Sequence, residues 1–93
     1  MQEYTLKIIL EDNGRIGLEL LKDSFILAKT DWDDGGQTSQ KLLKQVDVFL
    51  TDNNLKVTEL SEVQADISEN QKFTLARIIK ITAKTLNYCL ENK

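Results

Sequence analysis

The chain has no histidine and no proline, a single cysteine and four glycines, and aromatic residues make up only 6% of its 93 positions. Without histidine it lacks the commonest general base, the commonest metal ligand and any Ser-His or Cys-His nucleophile pair, so a non-catalytic protein without a cofactor is expected. One cysteine, Cys89, excludes an internal disulfide. With Thr85 rather than a base one turn before it, Cys89 reads as a small core hydrophobe. Arginine occurs only at Arg15 and Arg77, and the net charge is −3. No basic cluster is present to hold phosphates, which argues against direct binding of nucleic acid. No apolar run approaches the roughly 20 residues needed to cross a bilayer, so no membrane segment is expected. The N-terminus lacks the basic, apolar, small-residue order of a secretory signal, and a cytoplasmic location is expected. No Pro-, Ser- or Gly-rich tract, charge block or repeat breaks the chain, so residues 1–93 read as one compact domain.

What is present is a 41% apolar, 29% charged chain with clear local periodicities. Tyr4, Leu6, Ile8 and Leu10 alternate with Thr5, Lys7 and Ile9 and predict a strand with one apolar face. Asp12-Asn13-Gly14 supplies residues that tolerate positive φ, hence a tight hairpin. Ile16, Leu18 and Leu20 predict a second strand. Lys22-Asp23-Ser24 turns the chain into a third, over Phe25 to Lys29. Thr30 to Gln40 reads as a loop, with Thr38 or Ser39 as the cap of a helix running to about Asp52. Leu42, Leu43, Val46, Phe49 and Leu50 form the single apolar face of that helix. Asn53-Asn54 ends it, Thr58 can cap a short turn, and Val63 to Ile67 predicts a fourth strand. Ser68-Glu69-Asn70-Gln71 fits a capping box opening a last helix over Gln71 to Leu90.

That last helix is apolar around most of its girth. On a wheel at about 100° per residue, Arg77, Lys80, Lys84, Asn87 and Glu91 fill an arc of only about 80°. Leu75, Ala76, Ile78, Ile79, Ala83, Leu86, Cys89 and Leu90 can face a sheet, and Ile81, Tyr88 and threonines 74, 82 and 85 extend the zone around a flank. A helix on a sheet normally buries a stripe nearer 100–120° wide, so the excess needs a second neighbour. Either the first helix lies alongside and covers the flank, or a partner chain does, for which a two-fold pairing of helices is self-complementary.

The element order, with "DWDDGGQTSQKLLKQVDVFL" between the third strand and the end of the first helix, resembles the N-terminal lobe of the TsaB (YeaZ) family. That family belongs to the actin-like ATPase (ASKHA) superfamily and to the machinery that makes threonylcarbamoyladenosine (t6A) in tRNA. Thr38-Ser39-Gln40-Lys41-Leu42-Leu43 stands where the family has His-Ser-Glu-x-Leu-Leu. In "SENQKFTLARIIKITAKTL", Phe73, Thr74, Arg77, Ile78, Ala83, Lys84 and Leu86 keep register with a second family signature whose glycines are all missing here. The resemblance implies an α+β, ribonuclease H-like or actin-like half-domain, β-β-β-α-β-α. Its three-stranded antiparallel meander is joined by a fourth strand, with two helices packed on one sheet face.

By the same resemblance, the two helices form the contact with a second copy or with a TsaD-like partner. The expected interface is Leu42, Val46 and Phe49 with Thr74, Arg77, Ile78, Ile81, Thr85 and Tyr88. Glu69, Asn70 and Gln71 put Cβ atoms and a negative charge where the family's glycines would meet an anion, which argues against a phosphate loop. Leu10 to Asn13 lacks the family's acidic Asp-Thr-Ser motif. A degenerate interaction domain is therefore the first expectation, and a weak nucleotide-binding half-site completed by homodimerisation the second. Asp31, Asp33 and Asp34 lack the spacing of a calcium loop and read as solvated. Trp32 either anchors a partner or caps the core edge. Lys80 and Lys84 read as a solvated stripe, or as a meeting point for a partner's acids.

Overall fold

In the computed structural model, residues 3–11, 15–33, 38–67 and 73–91 are described, with only the backbone at 38–40 and 73–75. Strands β1 (Tyr4–Leu10), β2 (Arg15–Lys22) and β3 (Phe25–Asp33) are followed by helix α1 (Thr38–Asp52), a short 3-10 turn (Val57–Glu59), strand β4 (Glu62–Ile67) and helix α2 (Phe73–Glu91). The sheet order is β3-β2-β1-β4. β1 pairs antiparallel with β2 and parallel with β4. β2 pairs antiparallel with β3. The expected α+β order is present, with a mixed sheet in which β1 lies between an antiparallel neighbour, β2, and a parallel one, β4.

The alternation read in β1 and β2 is the alternation of burial. Leu6, Ile8, Leu10, Ile16, Leu18 and Leu20 point to one face and are at most 1% exposed. Leu42, Val46, Phe49 and Leu50 of α1 and Ile79, Ala83 and Leu90 of α2 close over them, joined by Leu60 and Val63. Lys7, Glu19 and Lys29 share the other face by register, and that face is the polar one. A sheet that is apolar on one side only leaves the helices no choice of face.

Three expectations need correction. β3 runs to Asp33, four residues past Lys29, because an outermost strand meets the core only through Ala28 and Trp32 and shows no full alternation. Leu43 is 54% exposed, lying about 100° around the helix from Leu42 and outside the buried stripe. The cap position of the short turn is Lys56 rather than Thr58, and the Glu59 side chain accepts a hydrogen bond from the Lys56 N–H at 3.0 Å. The proposed hairpin at Asp12-Asn13-Gly14, the capping box at residues 68–71, and the cap side chains of Thr38 and Ser39 lie outside what is described.

Two chain reversals are well defined. Asp23 and Ser24 both have positive φ, 50° and 78°, as a two-residue hairpin turn requires. Asp23 also donates its N–H to the Glu3 carbonyl, tying the turn to the chain ahead of β1. Asn54, at φ 60°, ends α1 as expected. Asn54 N–H bonds Thr51 O and Leu55 N–H bonds Leu50 O, at 3.0 and 2.9 Å, the paired bonds of a left-handed helix terminus. Asn53 adds a bond from its side-chain amide to Phe49 O at 2.8 Å. Asn54→Val should therefore lower the unfolding free energy by about 1–2 kcal/mol, while Asn54→Gly should not lower it. Urea denaturation of the two variants side by side checks this, and equal losses would remove the assignment.

Candidate interaction surface

The outer face of α2 carries large apolar side chains away from the core. Ile81 is 57% exposed and Tyr88 67%, seven residues and about two turns apart, and so on one face. Arg77, Lys84 and Thr85 are exposed around them, and Ile78 is half-buried on the adjoining flank. α2 thus has an inner stripe centred on Ile79, at 0% exposure, and an outer apolar strip in which Ile81 and Tyr88 are each more than half exposed. Thr82 is half-buried and its hydroxyl donates to Ile78 O at 2.8 Å, so a polar group on the flank is satisfied within the helix.

The interface residues expected from the sequence divide cleanly. Arg77, Ile81, Thr85 and Tyr88 are exposed and Ile78 partly so; the side chain of Thr74 lies outside what is described. Leu42, Val46 and Phe49 are corrected: at 1%, 1% and 7% exposure they are spent in this chain's own core and have no surface to offer. The part of α1 that remains available is Leu43 on one flank and Val48, 44% exposed, on the other. Cys89, expected in the core, is exposed.

One residue on the supposed solvent stripe has a different role. The Asn87 side chain accepts from the Val63 N–H at 2.8 Å and donates to the Val63 carbonyl at 2.7 Å. Val63 lies on the outermost strand β4, so one amide side chain takes the place that a neighbouring strand's peptide group would fill. Sequence periodicity sorts residues by polarity and counts asparagine with the solvated ones; only the geometry shows that this amide meets a strand edge.

At the opposite edge no described element pairs with the sheet. β3 is outermost, and Phe25, Ile26 and Leu27 at its start are 76%, 57% and 53% exposed. Beside it, Ala28, Lys29 and Thr30 face Gln45, Val48, Phe49 and Asp52 of α1, and Asn53 just after it, across a groove of about 340 Å³. On the sheet's polar face Arg15 and Asp31 form an ion pair at 3.0 Å. The hydrogen bond to Asp31, with the attraction of its charge, raises the Arg15 pKa above its ordinary value, so the guanidinium stays charged throughout the neutral range. Trp32 packs against the core edge, and its buried indole N–H has no acceptor among the described residues.

Among the described residues no group of three His, Cys, Asp or Glu side chains could hold a metal ion. Asp34, and residues 12–14 and 68–72 where the resemblance places nucleotide-site motifs, lie outside them. No described helix is long and apolar enough to cross a membrane.

No protein-family model matches the chain, and no curated protein sequence does. Among solved structures the chain is similar to YeaZ from Pseudomonas aeruginosa, with a TM-score of 0.79 and 17% identity over 96% of this chain. The chain spans 40% of the length of that protein. At this identity the likeness concerns the fold, and the fold is the one that the sequence resemblance implied.

Proposed function

We propose that this chain is a non-catalytic interaction domain, similar to the N-terminal lobe of TsaB, that offers the outer face of α2 to a second polypeptide in t6A biosynthesis. That polypeptide is another copy or a TsaD-like protein, and the setting is the cytoplasm. The observation that carries this reading is the exposure of Ile81 and Tyr88 on one face of a helix whose other face is fully used by the core. An aromatic and a branched aliphatic side chain two turns apart are the anchors that a helix-in-groove contact uses. Arg77, Lys80 and Lys84 beside them place positive charge on α2 in a chain whose net charge is −3, which suits an acidic partner surface. Leu43 adds apolar area from α1. It lies on the flank away from Val48, which faces β3, and therefore on the side toward α2.

Ile81→Asp tests this directly. The variant should keep the wild-type circular dichroism and urea midpoint, because Ile81 makes little of the core. It should also lose at least tenfold in affinity for the partner, read by sedimentation of the chain alone and with a TsaD-like protein. A wild-type chain that binds neither itself nor a TsaD-like protein at about 100 μM would defeat the proposal.

A further inference from the structure

We infer that the open edge of β3 is a second contact surface, distinct from α2, at which two copies of this chain join β3 to β3 antiparallel into one continuous sheet. The two edges of the sheet are treated differently. At β4, the backbone of Val63 is taken by Asn87 and α2 lies along the strand. At β3 no described element pairs on the outer side and no proline interrupts the strand; the irregularity at Leu27 and the charges of Lys29, Asp31 and Asp33 are what a second strand has to match.

The pairing register follows from the strand itself. Between Leu20 and Leu21 the β2–β3 register shifts, so only Ala28 to Asp33 is regular, paired with Leu20 down to Arg15. In the two-residue hairpin, Lys22 and Phe25 form the hydrogen-bonded pair next to the turn, so alternate residues of β2, namely Leu20, Leu18 and Ile16, also bond toward β3. Their partners Ala28, Thr30 and Trp32 therefore direct their backbone groups inward, and Lys29, Asp31 and Asp33 direct theirs outward, to a new strand.

A two-fold axis through Thr30 sets Lys29 opposite Asp31 of the other copy, and Asp31 opposite its Lys29. One step to one side sets Lys29 against Lys29. One step to the other keeps Lys29 opposite Asp33 of the second copy but sets Asp31 against Asp31. Like charges directly opposite are unfavourable, so only the register through Thr30 pairs these charges with no such conflict. Charge therefore selects the register that also centres on the regular stretch of the strand. On the helix face the same axis brings together the two grooves beside β3, where Val48 is 44% exposed, so each α1 covers the other's open flank. The outer face of α2 plays no part and remains available.

The test uses charge reversal and mixing. Sedimentation equilibrium of the full chain should show a species of twice 10.6 kDa at about 100 μM. Lys29→Asp, which makes both positions negative, and Asp31→Lys, which makes both positive, should each weaken the dimer at least tenfold. An equimolar mixture of the two variants should restore it, because each then meets its complement at both positions. Loss of an in-chain contact alone, with Glu19 beside Lys29 or with Arg15 at Asp31, cannot be repaired by mixing. Restoration by mixing, with the dimer unaffected by Ile81→Asp, is the expected outcome. A monomeric wild type, a dimer indifferent to both reversals, or a mixture that stays monomeric would overturn the assignment. A dimer broken by Ile81→Asp but not by the reversals would place the copy-to-copy contact on α2 and equally overturn it.

Discussion

Asn87→Leu is expected to lower the unfolding free energy by about 2–4 kcal/mol, although the position reads as part of a solvated stripe in the sequence. The substitution keeps the number and branching of the side-chain heavy atoms and improves helix propensity, so a loss of stability cannot come from the helix itself. It removes both partners of Val63, whose N–H and carbonyl are bonded to this one amide. A buried donor or acceptor left unpaired costs about 1–3 kcal/mol, and two are orphaned here; partial access of water to the β4 edge keeps the sum below the upper limit. Asn87→Asp separates the two bonds. The introduced carboxylate still accepts from the N–H but faces the carbonyl oxygen with no proton to donate, so about half the loss should appear at neutral pH. That half should shrink on acidification, because the crowding of oxygens favours the protonated form. Urea denaturation of the three proteins at two pH values measures this. A loss under about 0.5 kcal/mol for Asn87→Leu would mean that the amide is not holding the edge.

Ile79→Ala should cost about 3–4 kcal/mol, and Ile81→Ala, two positions away, no more than about 0.5. Ile79 is 0% exposed, pressed onto the sheet by α2, and its truncation leaves a cavity in a core too small to collapse around it. Ile81 is 57% exposed on the opposite side and leaves no cavity at all. Since a domain of this size has a total stability of about 5–15 kcal/mol, the first change spends a large share of it. Partner binding should respond in the reverse order, with Ile81 sensitive and Ile79 affected only through folding. Similar stability losses at the two sites would mean that α2 is sheltered on both faces and that its outer strip is no contact surface.

The sequence made β1, β2 and the inner stripe of each helix legible, because there polarity and burial coincide. Leu6, Ile8 and Leu18, like Leu42, Val46, Ile79 and Ala83, sit on the side that their spacing predicts. The later part of β3 was not legible. Thr30 to Asp33 carries two acids and touches the core only through Trp32, so its extended form comes from the ladder to β2 rather than from its own pattern. Leu43 and Cys89 were placed inside because an apolar arc on a wheel has no sharp edge, and a few tens of degrees decide between core and surface. The expected interface met the same ambiguity in reverse. Leu42, Val46 and Phe49 are apolar enough for a partner but belong to the core, while the exposure of Val48 and of the start of β3 has no signature in the periodicity. Which strand lies where was also beyond periodicity. That β4 runs alongside β1, parallel to it, is a fact of three-dimensional arrangement, and with it came the role of Asn87.

The unequal edges of the sheet bear on how large an assembly this chain can build. A ladder grows without limit only when each newcomer brings a fresh landing place of its own. Here a newcomer at β3 uses that landing place up, and its far side ends in a backbone position already occupied by its own asparagine. Through the sheet edges alone the count stops at two, so the strand contact proposed above, taken by itself, gives a finite pair and no endless ladder.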